Sequence, residues 1–137
     1  MEAQLIENQT CLVLGPDFHF ESNAHGVRPL LELIDSKRNL KGFSVVDKVT
    51  GKAAAYLYLV LGFAKVHSLL ISEPALSLLE SHGVQVTYDK KIPMILNHER
   101  TDYCPLEKSV MDAASPEEAL SSIRNTVKIL MAFKGKH

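Results

Sequence analysis

Two hydrophobic periods alternate along this chain, and they meet between Ser44 and Leu79, in SVVDKVTGKAAAYLYLVLGFAKVHSLLISEPALSLL. The pattern there reads as helix, buried strand, helix, the order expected at the centre of an α/β domain. Val46, Val49, Ala53, Leu57 and Val60 keep one 3.6-residue stripe. Ser44 with Asp47 resembles a capping box in which Asp replaces the usual Glu. FSVVDKV also has the β-branched content of a strand; the helical reading is the preferred one. Gly51 inside such a helix costs about 1 kcal/mol relative to Ala. That cost points to something approaching the backbone closely, or to a break that restarts the helix at Lys52. Gly62 is the expected C-cap. VHSLLIS is a continuous apolar run, as in a central strand covered on both faces. Ser72 caps the next helix, with Glu73 and Pro74 in its first turn, and QVTYD is the strand that follows. Strand, helix and strand in this order predict a right-handed parallel crossover.

The flanks complete the layout. CLVLG and FHFES, joined through Pro16 and Asp17, predict a hairpin. VRPLLELIDS predicts a helix with Pro29 in its first turn. IPMILN is a short fifth strand candidate and HERTDY a polar loop. CPLEKSVMD predicts a short helix with Pro105 at its start. The final helix begins at Ser115, Pro116 and Glu118, a capping box, and carries Leu120, Ile123, Val127, Leu130 and Met131 on one stripe. The polar link SKRNLKG is too short to separate two domains, so the chain reads as one domain over residues 1–137.

Composition narrows the function classes. A chain of 137 residues buries one core without staples. A net charge of −1 gives no global bias toward nucleic acid or anionic membrane. The longest apolar runs are about ten residues, too short to cross a bilayer, and no leader pattern opens the chain. The expected location is therefore cytoplasmic. Cys11 and Cys104 do not form a CxxC pair, which fits a reducing compartment, with a Cys11–Cys104 disulfide as the alternative. The histidines, His19, His25, His67, His82, His98 and His137, show no ligand spacing, so neither a metal nor another cofactor is expected.

Three positions stand out chemically. The Gly-Lys of TGKAAA fails as a phosphate loop, because Val46 stands where the first Gly is needed and Ala53 where Ser or Thr is needed. Lys52 nevertheless has small neighbours, Ala53 to Ala55, and is either a snorkelling surface lysine or a cation aimed at an anionic ligand. Arg28, near its own helix start, is a second such cation. Cys104, ahead of Pro105 and Glu107, sits at a predicted helix start. That dipole lowers a thiol pKa, while Asp102 and Glu107 oppose it.

The phrases GVRPLLELI, DKVTGKAAA, ISEPALSLLESHGVQVTY and NHERTDYCPLEKSV resemble the bacterial and archaeal family known as domain of unknown function 1893. Its fold is cytidine-deaminase-like. The resemblance implies a three-layer α/β/α domain: a mixed sheet of about five strands, the hairpin at one side, parallel strands in the centre and helices on both faces. Zinc deaminases carry H-x-E at one helix start and P-C-x-x-C at the next. Here Lys52 and Ala54 stand in the first, and Ala75 and Leu78 replace the two cysteines. Zinc chemistry of that type has no ligands. The expected function is binding of a small anionic or nucleotide-like ligand where the two helices start, near Lys52 and Ser72. Glu73, Arg28, Asp47, Cys104 and Glu107 complete the candidate set. Two alternatives stand beside it. One is a non-zinc enzyme with Cys104 as nucleophile, its pKa lowered by Lys52 or His98. The other is a structural or interaction module forming a homodimer.

Overall fold

The computed structural model describes residues 11–15, 18–22, 27–37, 39–94 and 105–134. Its strands are β1 (Cys11–Gly15), β2 (Phe18–Ser22), β3 (Ser44–Thr50), β4 (Lys65–Ser72) and β5 (Gln85–Ile92). Its helices are α1 (Arg28–Asp35), α2 (Lys52–Leu61), α3 (Glu73–Ser81), α4 (Pro105–Ser109) and α5 (Pro116–Lys134). The sheet order is β2-β1-β3-β4-β5. β1 runs antiparallel to both β2 and β3, whereas β3, β4 and β5 are mutually parallel. The class is α/β, with the hairpin at one edge.

The largest departure from the sequence reading is β3. Ser44–Thr50 is a strand, and helix α2 begins only at Lys52. Val45 and Val46 are buried in the middle of the sheet, between β1 and β4. The helical stripe that ran through Val46 and Val49 was therefore an accident of spacing. β-branched residues in a sheet interior override a periodicity shared with the helix that follows. Asp47 does not serve as a capping-box acid; it is buried in the strand.

Inner-face residues follow the register. Val13, Val45, Val66 and Val86 lie in one cross-strand row, and Cys11, Asp47, Ser68 and Tyr88 in the next. On the opposite face Leu12 and Val46 are buried, His67 is half-buried and Thr87 is exposed. β4 is thus not uniformly covered on both faces as its apolar run suggested. Among the described residues the helices form one connected set around α2, which touches α1, α3, α4 and α5. Helices on both faces, the layering implied by the resemblance, are not established by these residues.

Most local signals hold. The Ser72 hydroxyl accepts from the Ala75 amide at 3.3 Å, capping α3. The Ser115 hydroxyl accepts from Glu118 N at 3.1 Å, while the Glu118 carboxylate reaches Ala114 N at 3.3 Å, one residue beyond the expected partner. The strand read as QVTYD extends to Ile92 and absorbs the start of IPMILN; residues 95–97 of that candidate lie outside the described residues.

Gly62 closes α2 with φ of 81°, its amide donating to Tyr58 O at 2.9 Å. A Cβ there would sit 3.2 Å from Lys41 Cα. Left-handed backbone penalises L-residues, so Gly62→Ala is expected to lower stability by about 1–2 kcal/mol. A urea titration checks this as a lower midpoint at an unchanged m-value.

Candidate functional site

Parallel strands β3 and β4 end side by side, Thr50 opposite Ile71, and each passes directly into a helix. The first turns of α2 and α3 therefore begin at the same carboxyl edge of the sheet. In open α/β sheets ligands gather outside the carboxyl ends of the parallel strands. Lys52 and Ser72 come to this edge as the sequence reading expected.

What occupies the edge differs from that reading. Glu107, projecting from α4, turns its carboxylate onto the start of α2. Oε1 accepts from Lys52 N at 2.7 Å and Oε2 from Ala53 N at 2.8 Å. Helix starts leave these amides without intrahelical partners, and the helix dipole favours a negative charge beside them. The chain thus supplies its own anion. Gly51 makes this possible, because a Cβ at that position would overlap the carboxylate. The close approach to the Gly51 backbone that the sequence hinted at is Glu107. Burial pushes the Glu107 carboxyl above its ordinary pKa, opposed by the two amides and by the nearby Lys52 charge.

The other candidates separate. Lys52 is half-buried, with Nζ 5.8 Å from the centroid of the Tyr56 ring. The Ser72 side chain is buried and already used as a cap. Glu73 is exposed in the first turn of α3, and Arg28 is exposed at the start of α1. Cys104 and His98 lie outside the described residues, and so does the nucleophile reading built on them. Ala54 and Ala75 are buried and Leu78 half-buried; with Lys52, these residues offer no set of zinc donors. Among the described residues, no three His, Cys, Asp or Glu side chains come together as metal donors.

Asp47 is not at the accessible edge. It joins a buried polar cluster that sequence reasoning missed. Tyr58, fully buried on α2, donates a hydrogen bond from its hydroxyl to Asp47 Oδ2. Thr50 Oγ1 lies 3.0 Å from the same hydroxyl. Lys48 N donates to Asp47 Oδ1 at 3.0 Å. Cys11, a free buried thiol, and Ser68 stand in the same cross-strand row as Asp47. Burial pushes the Asp47 carboxyl up to about 7, against the lowering effect of the Tyr58 and Lys48 hydrogen bonds. Burial also raises the Cys11 thiol, with the Asp47 charge adding to it.

Strand β3 departs from regular alternation at this cluster. Asp47 and Thr50 both reach Tyr58, although three residues apart they would face opposite sides of a regular strand. The Cα register of β3 with β4 omits Lys48 and Leu69. The available sequence signal was a lone acid in SVVDKV and a tyrosine inside YLYLVL, neither of which specifies a partner.

Comparison with known proteins supplies the family. Among curated proteins none matches this sequence. The crystal structure of a DUF1893 family protein (TM1506) from Thermotoga maritima is similar, with 36% identity and a TM-score of 0.77. The match covers 89% of this chain and 81% of that one. The family described as TM1506, domain of unknown function (DUF1893), matches residues 3–127. The chain therefore belongs to the DUF1893 family.

Proposed function

We propose that this domain binds a small anionic or nucleotide-like ligand, on a deaminase-like scaffold without zinc chemistry, at the edge where α2 and α3 begin. One observation carries the reading: the first two amides of α2 already hold a carboxylate, that of Glu107, beside the Lys52 ammonium. With those two amides taken by Glu107, the Lys52 ammonium and the exposed first turn of α3 remain to meet a charged group from outside. The ligand's charged group meets Lys52 and the exposed first turn of α3, beside Glu107 and not in its place. Ser72 shapes the site by holding α3 in position, while Asp47 lies behind it in the core and does not touch the ligand.

A thermal-shift screen of nucleotides and sugar phosphates tests this reading. At least one compound is expected to raise the Tm saturably, and Lys52→Ala is expected to weaken that response about tenfold in half-saturating concentration, the equivalent of one lost charged contact of about 1.4 kcal/mol. If none of them stabilises the protein, or if Lys52→Ala responds as the parent does, the reading fails.

A further inference from the structure

The Asp47 cluster lies away from the proposed ligand edge, and among the described residues it gathers a buried carboxyl, a buried phenol and a buried thiol. The groups facing the carboxylate can be named from every element around it. β1 contributes Cys11 and β4 contributes Ser68, whose hydroxyl is engaged with Leu70 O at 2.7 Å. α2 contributes Tyr58, and β3 itself contributes Thr50 and the Lys48 amide. The nearest cations lie elsewhere. Lys48 carries an exposed side chain and Lys52 lies over Tyr56. Glu107 of α4 is turned to the α2 amides. Among the described residues no cation pairs with Asp47, and an ionised carboxylate without one is costly in a protein interior.

The hydroxyl chain resolves this cost without moving a heavy atom. With Asp47 ionised, Thr50 donates to the Tyr58 oxygen and Tyr58 donates to Asp47. With Asp47 protonated, its hydroxyl donates to the Tyr58 oxygen and the Tyr58 proton turns to Thr50 Oγ1. Both arrangements fit the Tyr58–Asp47 hydrogen bond and the 3.0 Å Tyr58–Thr50 separation. We propose that this buried Asp47–Tyr58–Thr50 cluster is a proton-holding lock, in which the folded chain takes one proton onto Asp47 and the β3–α2 junction loses stability when that proton leaves. The direction follows from linkage. The unfolded chain releases the proton at the ordinary carboxylate pKa, whereas the folded chain keeps it to about 7. Stability therefore falls as pH rises between these two values and is level above and below them.

The test compares unfolding constants of the parent and Asp47→Asn from pH 4 to pH 8.5. The amide stands in for the protonated acid, so the parent's unfolding constant is expected to rise relative to the variant's by about a thousandfold across that window. Taking the ratio to the variant removes the contribution of Glu107, which both proteins share. Infrared spectra of the native protein supply a second readout that needs no Asp47 variant. A protonated-carboxyl band is expected at pH 6, disappearing with a midpoint near neutrality and persisting in Glu107→Gln. A ratio independent of pH overturns the proposal, as does the lack of that band in Glu107→Gln.

Discussion

Gly51→Ala is expected to destabilise the protein by about 2–4 kcal/mol, far more than a glycine-to-alanine change at a helix N-cap usually does. The backbone permits the substitution: Gly51 has φ of −98° and extended ψ, ordinary for any residue. The obstacle is Glu107, whose carboxylate occupies the space the methyl group needs. Pushing it aside strips Lys52 N and Ala53 N of their acceptor and leaves a buried acid without its donors. Hydrogen bonds to charged groups contribute about 1.5–3 kcal/mol, and a carboxylate at a helix start adds up to about 2 kcal/mol when partly buried. Glu107→Ala is expected to cost a similar amount. The double variant is then expected to be little worse than either single one, because both remove the same interaction. Urea denaturation of all four proteins checks the cycle, and additive costs would show that Gly51 and Glu107 act independently. Acetate added to Glu107→Ala is expected to restore part of the loss by reoccupying the amides.

Tyr58→Phe is the second large effect. The ring is fully buried, with its centroid 5.8 Å from that of Phe63, and Phe preserves this packing. Only the hydroxyl disappears, leaving Asp47 Oδ2 without its donor and Thr50 without its partner. A loss of about 2–3 kcal/mol is expected at pH 8.5, where the buried carboxylate carries its charge. At pH 5 the loss is expected to be smaller by about 1 kcal/mol or more, since a protonated acid depends less on a donor. Guanidinium melts at the two pH values measure the difference. Equal losses would mean that the hydroxyl supports packing alone and does not stabilise charge.

Arg124 and Asp35 show why the same scale of effect is not expected at the surface. Their ion pair is short, 2.7 Å, and holds the Asp35 carboxyl below its ordinary pKa through the hydrogen bond. Both side chains are solvated, and such pairs contribute little. Enclosure gives the Asp47 and Glu107 carboxylates their leverage.

Much of the fold was legible because its signals are local. The hairpin, the Ser72 and Ser115 caps, the Gly62 stop and the α/β alternation each depend on residues within one turn or one tight loop of each other. The β3 segment was misread for the same reason. Its spacing satisfied a helix, and only its place between β1 and β4 made it a strand. The candidate edge was half-legible. Lys52 and Ser72 mark two helix starts, but their closeness depends on parallel pairing of β3 with β4.

The sequence by itself determined where the chain turns, where most helices start and stop, and that the class is α/β. Tertiary structure alone decided which side chains meet the helix starts and the buried strand acid. Glu107 reaches Lys52 N across 55 residues of chain, and Asp47 meets Tyr58 only because β3 and α2 pack together. Caps and periods act over a few residues through local backbone geometry. A carboxylate's partner and charge state are set by whatever the fold encloses with it, which no local pattern encodes.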